Sequence, residues 1–142
     1  MTKKDKLTEL FAYSDQFTEK SLRDLAIQFL NSNKFVYEEK VTHEGNSGQE
    51  HRLDFIIRGQ GKQAKAANDS PKTGIILRDY RKSLGADGIC SVERLLRDCP
   101  DVTKVVVMAN DFSVPARNLA ERCGVPVISR GELVSMLKQP NG

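Results

Sequence analysis

The chain has 142 residues, 39% hydrophobic and 29% charged, with a formal net charge of +3. That is enough chain for one ordinary domain with its own core, and the balance excludes a disordered polymer. No apolar run approaches the roughly 20 residues of a membrane span, and the start, Met1-Thr2-Lys3-Lys4-Asp5-Lys6, lacks the apolar stretch of a signal peptide. The cytoplasm is therefore the expected compartment.

Residues 1–17 read as a polar, partly helical extension, 18–138 as the domain, and 139–142 as a frayed tail. After Thr18-Glu19-Lys20-Ser21, the positions Leu22, Leu25, Ala26, Phe29 and Leu30 follow the i, i+3, i+4, i+7, i+8 spacing of an amphipathic helix that ends at Asn31-Ser32-Asn33. Phe35 to Val41 is rich in β-branched and aromatic residues and predicts a strand, and Glu44 to Gly48 has turn composition. Residues 51–58 predict the second strand and 73–80 the third. Between them, residues 59–72 carry three lysines and no apolar period, which predicts an exposed, mobile connection.

The second half alternates. Ile89, Val92, Leu95, Leu96 and Cys99 mark a helix, and Lys104 to Ala109 is an apolar run suited to a strand covered on both faces. Ser113 predicts an N-cap with Pro115 in the first turn; Ala116, Leu119, Ala120 and Cys123 form the apolar face, and Gly124 closes the helix. Val125 to Ser129 predicts a short strand and Gly131 to Leu137 a last helix. The expected architecture is α/β: one domain with a mixed β-sheet flanked by helices, in the order αβββαβαβα.

Cys90, Cys99 and Cys123 form no C-x-x-C pair and fall at helical apolar positions, so buried thiols are expected rather than a zinc site or disulfides. His43 and His51 have no second ligand at a metal-binding spacing and are expected to be strand or loop residues rather than ligands. Charge is unevenly placed. Residues 58–82 hold seven basic side chains against Asp69 and Asp79, a net charge of +5 that exceeds that of the whole chain. A basic run of this kind is either a solvated loop or a phosphate-facing patch.

The second and third strands carry the chemistry. Side chains two apart in a strand share a face, so Ile76 and Arg78 point one way and Asp54 is placed to face them from the neighbouring strand. A metal-dependent nuclease centre needs two carboxylates for a hard dication and a lysine near the attacking water. Here Asp54 is present, Ile76 offers no lone pair, and Arg78 keeps a positive charge but stays protonated.

With these residues the chain resembles the restriction-endonuclease-like fold, specifically the Mrr-like type IV restriction endonucleases and archaeal Holliday-junction resolvases. The resemblance spans roughly residues 18–138. It rests on the first helix, the H-x-x-D of His51 to Asp54, the strand running into Arg78-Asp79-Tyr80-Arg81-Lys82-Ser83-Leu84-Gly85, and Phe112-Ser113-Val114-Pro115-Ala116-Arg117-Asn118-Leu119-Ala120 with Gly124-Val125. It implies that Asp54 matches a metal-binding aspartate, that Arg78 stands where the E-x-K lysine belongs and Ile76 where its carboxylate belongs, and that a dimer is common. Glu93 and Lys82 are candidates for a migrated carboxylate and ammonium, and Glu19 for a further acid.

Three functions fit this reading. The first is a DNA-binding protein with a degenerate nuclease site and no cofactor, gripping phosphates through Lys62, Lys65, Lys72, Arg78, Arg81 and Lys82, and selecting branched or single-stranded DNA by shape. The second is an active Mg2+-dependent endonuclease using Asp54 and Glu93. The third is a protein-interaction subunit that has only inherited the fold. Tyr80, the one aromatic near the site, is expected to pack at the strand end.

Overall fold

The computed structural model describes residues 20–60 and 72–138. Nine elements follow in the expected order: α1 (Leu22–Ser32), β1 (Phe35–Glu44), β2 (Glu50–Gln60), β3 (Lys72–Arg78), α2 (Ala86–Asp98), β4 (Val102–Ala109), α3 (Val114–Cys123), β5 (Val127–Ser129) and α4 (Arg130–Lys138). Among them no helix is long and apolar enough to cross a membrane. The extension expected at residues 1–17, Glu19, most of the lysine-bearing connection (residues 61–71) and the tail at 139–142 lie outside the described residues.

Helix starts and stops follow local chemistry. Ser21 Oγ accepts the Asp24 N–H at 3.0 Å, and Ser113 Oγ accepts the Ala116 N–H at 3.1 Å, each satisfying an amide that the first turn leaves without a partner. Gly124 ends α3 at φ 70°, a left-handed conformation that favours glycine.

The five strands lie in sequence order, β1-β2-β3-β4-β5, with the first two pairings antiparallel and the last two parallel. Both faces are covered. On one, Leu22, Leu25, Ala26 and Leu30 of α1 and Leu133 of α4 pack on Phe55, Ile75 and Met108. On the other, Ile89, Val92 and Leu95 of α2 and Ala116 and Ala120 of α3 pack on Leu53, Ile56, Ile76, Val105 and Val107. The alternation of Val105, Val107 and Ala109 against Met108 explains why β4 reads as an unbroken apolar run: each face meets a helical layer. Burying a side chain such as Phe55 or Leu25 stabilises the fold by about 1.5–3 kcal/mol.

One irregularity of the sheet decides where Asp54 points. Leu53 and Phe55 should share a face, yet Leu53 packs in the α2/α3 layer and Phe55 in the α1/α4 layer. The β1–β2 ladder steps from Glu39↔Phe55 to Val41↔Leu53 without a Lys40↔Asp54 pair, and Lys40 has φ 52°. The hairpin therefore rolls over at Lys40 and Asp54.

Some expectations are corrected. β3 ends at Arg78, so Asp79 and Tyr80 lie beyond it, and Tyr80 is 55% exposed rather than packed. β5 starts at Val127, because the Val125 N–H is used by the α3 cap, bonding to the Ala120 carbonyl. Cys99 is buried, but Cys90 is exposed and Cys123 only half-buried.

Candidate functional site

The β2–β3 ladder is short. Only Phe55, Ile56 and Ile57 pair with Ile75, Gly74 and Thr73, after which the strands separate while β3 continues beside β4. Leu77, two residues past Ile75, presents its N–H toward the gap, and Asp54 Oδ2 accepts it at 2.8 Å. Asp54 Oδ1 lies 3.4 Å from the Arg23 guanidinium of α1, which also reaches Glu39 at 3.4 Å and sits 4.9 Å from the centre of the Phe55 ring. The roll-over at Asp54 makes this possible: a carboxylate at the seam meets β3's edge and α1 together. The residue closes the frayed ladder by its side chain, and its two oxygens are both engaged.

Where the strands part, a cavity of about 500 Å3 opens between β2, β3 and α2. Gln49 and, from β2, Glu50, His51, Arg52 and Asp54 line it, with Ile76 and Arg78 of β3 and Ser91, Val92, Arg94 and Leu95 of α2. Asp54, Ile76 and Arg78 thus share one wall. Ile76 is 3% exposed and contributes to the core beneath. Ser91, Arg94 and Leu95 reach the cavity together because i, i+3 and i+4 share a helical face.

Arg52, Arg78 and Arg94 have no acidic partner among the described residues, in contrast to Arg23, Arg58, Arg97 and Arg117, which do. Three guanidinium groups without an ion-pair partner therefore line a cavity that also holds the carboxylates of Glu50 and of Asp54, the latter 3.4 Å from Arg23. Arg52 and Arg94 were missed in the sequence, where only their spacing offered a signal: Arg52 lies two residues before Asp54, and Arg94 one turn before Asp98.

The remaining expected site residues are dispersed. Glu93 pairs with Arg97 at 2.5 Å and accepts from Cys123 Sγ at 3.4 Å, so it faces α3 and takes no part in the cavity lining. Lys82 and Arg81 are exposed in the bend after β3. Lys72 is six residues from Arg78 along β3, about 20 Å away, and bonds Asp101 at 3.4 Å. It belongs to the other end of the sheet. Lys62 and Lys65 lie outside the described residues.

The histidines are strand residues, as expected, and each is paired with an aspartate. His43 Nε2 is 2.8 Å from Asp101 Oδ1, and His51 Nε2 is 2.7 Å from Asp98 Oδ2. Asp98 also accepts from Ser47 N at 2.8 Å and Ser47 Oγ at 2.7 Å. These bonds dock the β1–β2 turn on the C-terminal end of α2 and so hold the two walls of the cavity together. They lower the Asp98 pKa to about 2, the Ser47 hydroxyl contributing most, then His51. A Cβ on Gly45 would collide with the Asp98 carboxylate, so the turn needs glycine for this approach.

Mg2+ takes six oxygen ligands, usually one or two carboxylates together with waters and phosphates. The two-carboxylate set is a poor fit to the described residues: Asp54 accepts from an amide and faces a guanidinium, Ile76 offers nothing, and Glu50 is four residues, about 13 Å, along the strand from Asp54. No group of three metal-ligating side chains occurs among the described residues.

A family model described as Mrr_cat, restriction endonuclease, matches residues 14–137. Among solved structures, a crystal structure titled protein of unknown function AF1548 is similar, with TM-score 0.62 and 14% identity over 84% of this chain and 72% of that one. EndoMS in apo form has TM-score 0.43 at 15% identity, covering 78% of this chain and 46% of that one. The MspJI restriction endonuclease in complex with a 27-mer oligonucleotide has TM-score 0.47 at 17% identity, covering 91% of this chain and 30% of that one. No curated protein matches.

Proposed function

The chain belongs to the Mrr_cat restriction endonuclease family, and from that premise we propose that it binds DNA through its phosphates at the β2–β3–α2 cavity without cleaving it by two-carboxylate metal chemistry. The single observation that carries this reading is the ring of Arg52, Arg78 and Arg94, free of acidic partners among the described residues, around a carboxylate that is already paired with a cation. A planar guanidinium presents several donors in a fork that fits phosphate oxygens. Arg81 and Lys82, exposed just beyond β3, extend the same charge. Phosphate contacts position a protein without reading bases, so selectivity falls to the shape of the DNA.

Family membership favours a second reading, a Mg2+-dependent endonuclease that uses Asp54 as a ligand. One experiment separates the two. Binding is measured by gel shift over a salt series on linear, branched and single-stranded DNA, beside a cleavage assay with added Mg2+ or Mn2+. Salt-sensitive binding without nicks supports the binding reading. Nicking that Asp54→Ala abolishes makes the chain an enzyme, and salt-insensitive or absent binding leaves the role of a protein-interaction subunit.

A further inference from the structure

Tyr80 is among the few large apolar side chains of the described residues that stand in solvent, at 55% exposure. Its surroundings set it apart from an ordinary surface tyrosine. It lies two residues past Arg78, at most about 7 Å along the chain, between Asp79, which is held by Asn110, and the exposed Arg81 and Lys82, so an exposed aromatic residue is flanked in sequence by three long cations.

Its backbone is pinned. Asn110, at the end of β4, donates its Nδ2 to Asp79 Oδ1 at 2.7 Å and to the Tyr80 carbonyl at 2.9 Å, and Arg130 Nη1 reaches Asn110 Oδ1 at 3.5 Å. On the far side of the bend, the Leu84 N–H bonds the Asp111 carbonyl and the Ser113 N–H bonds the Leu84 carbonyl. The ring is thus carried on a fixed backbone, which lowers the ordering cost of a contact.

We infer that Tyr80 is a stacking platform for one unpaired nucleobase of DNA whose neighbouring phosphate is held at the arginine cavity. The inference rests on the phosphate-binding reading above and deepens it by naming the substrate class: DNA with an accessible single strand. Base–aromatic stacking is tolerant of sequence, and cationic neighbours add to it. In a closed duplex both faces of each base are occupied, so the ring has nothing to cover.

These 142 residues contain no tryptophan, so Tyr80→Trp in this chain gives a single reporter at the site. Its emission is followed while single-stranded oligothymidylate or a relaxed, covalently closed circular duplex is added, and binding is measured independently by anisotropy of labelled DNA. Expected are quenching by the single strand and not by the circular duplex, a fall in single-strand affinity of roughly 5- to 150-fold in Tyr80→Leu, the worth of one stacked base, and little change in Tyr80→Phe. Normal single-strand binding by Tyr80→Trp with its indole emission unquenched, or by Tyr80→Leu at the parent's affinity, overturns the stacking role while leaving phosphate binding intact. Absence of all DNA binding by anisotropy overturns both.

Discussion

Replacing Ile76 with glutamate tests the proposal that the cavity works without a second carboxylate. Ile76 is 3% exposed, and removing its apolar burial costs about 1.5–3 kcal/mol. Desolvating part of the new carboxyl adds roughly 1–3 kcal/mol, toward the low end because the side chain opens onto the cavity and has Arg78 two residues away. Without metal, Ile76→Glu is expected to be less stable by about 2.5–4 kcal/mol, which lowers a urea midpoint by roughly 1–4 M at the m-values of small domains. The same substitution places a second carboxylate opposite Asp54, so Mg2+ or Mn2+ at about a hundredfold its Kd should return about 2.7 kcal/mol to the variant and nothing to the parent. Urea unfolding with and without the metal measures both numbers. A variant as stable as the parent without metal, or a metal effect equal in the two proteins, refutes the reasoning. Adding Arg78→Lys then asks whether cleavage appears.

Neutralising Arg52, Arg78 and Arg94 to glutamine should flatten the dependence of log K on log salt by roughly 0.9 for each phosphate no longer neutralised on duplex DNA, up to nearly 3 in all, equally for unrelated sequences; anisotropy titrations from low to moderate salt read the slope. Asp98 has a folded pKa of about 2 against 3.8 unperturbed, so its contribution to stability is present above the unperturbed value and is lost as pH falls toward the folded one. Denaturation midpoints across that window should drop, and those of Asp98→Asn should drop less. Some acid sensitivity should remain, because Asp101 and Glu132 are also lowered, by bonds from His43 and Arg117 respectively. Gly45→Ala should cost about 1–3 kcal/mol by overpacking against Asp98, seen as a lowered thermal midpoint.

Elements that answer to their own residues were legible in the sequence. The Leu22 to Leu30 stripe, the Ser113 cap with Gly124, and the β4 run each satisfy local rules and appear where those rules put them. The order of elements along the chain and the mixed sheet followed from them, whereas the order of the strands across the sheet comes from the structure. What stayed hidden depends on distant partners. His51 and His43 meet aspartates 47 and 58 residues away. The end of β3 is fixed by a strand that leaves it, and Arg52 and Arg94 become a pair only across the cavity. The basic stretch read as one patch is divided because Lys72 and Arg78 occupy opposite ends of a strand.

The bond from Asp54 to the Leu77 amide gives this aspartate an occupation independent of any metal. Removing the carboxylate would leave an edge amide without its protein partner and a guanidinium on α1 without one of its counter-charges. The sheet's own need for an acceptor at this amide thus holds the aspartate in place whatever chemistry the cavity performs, whereas the Ile76 side chain opposite makes no hydrogen bond and answers only to packing.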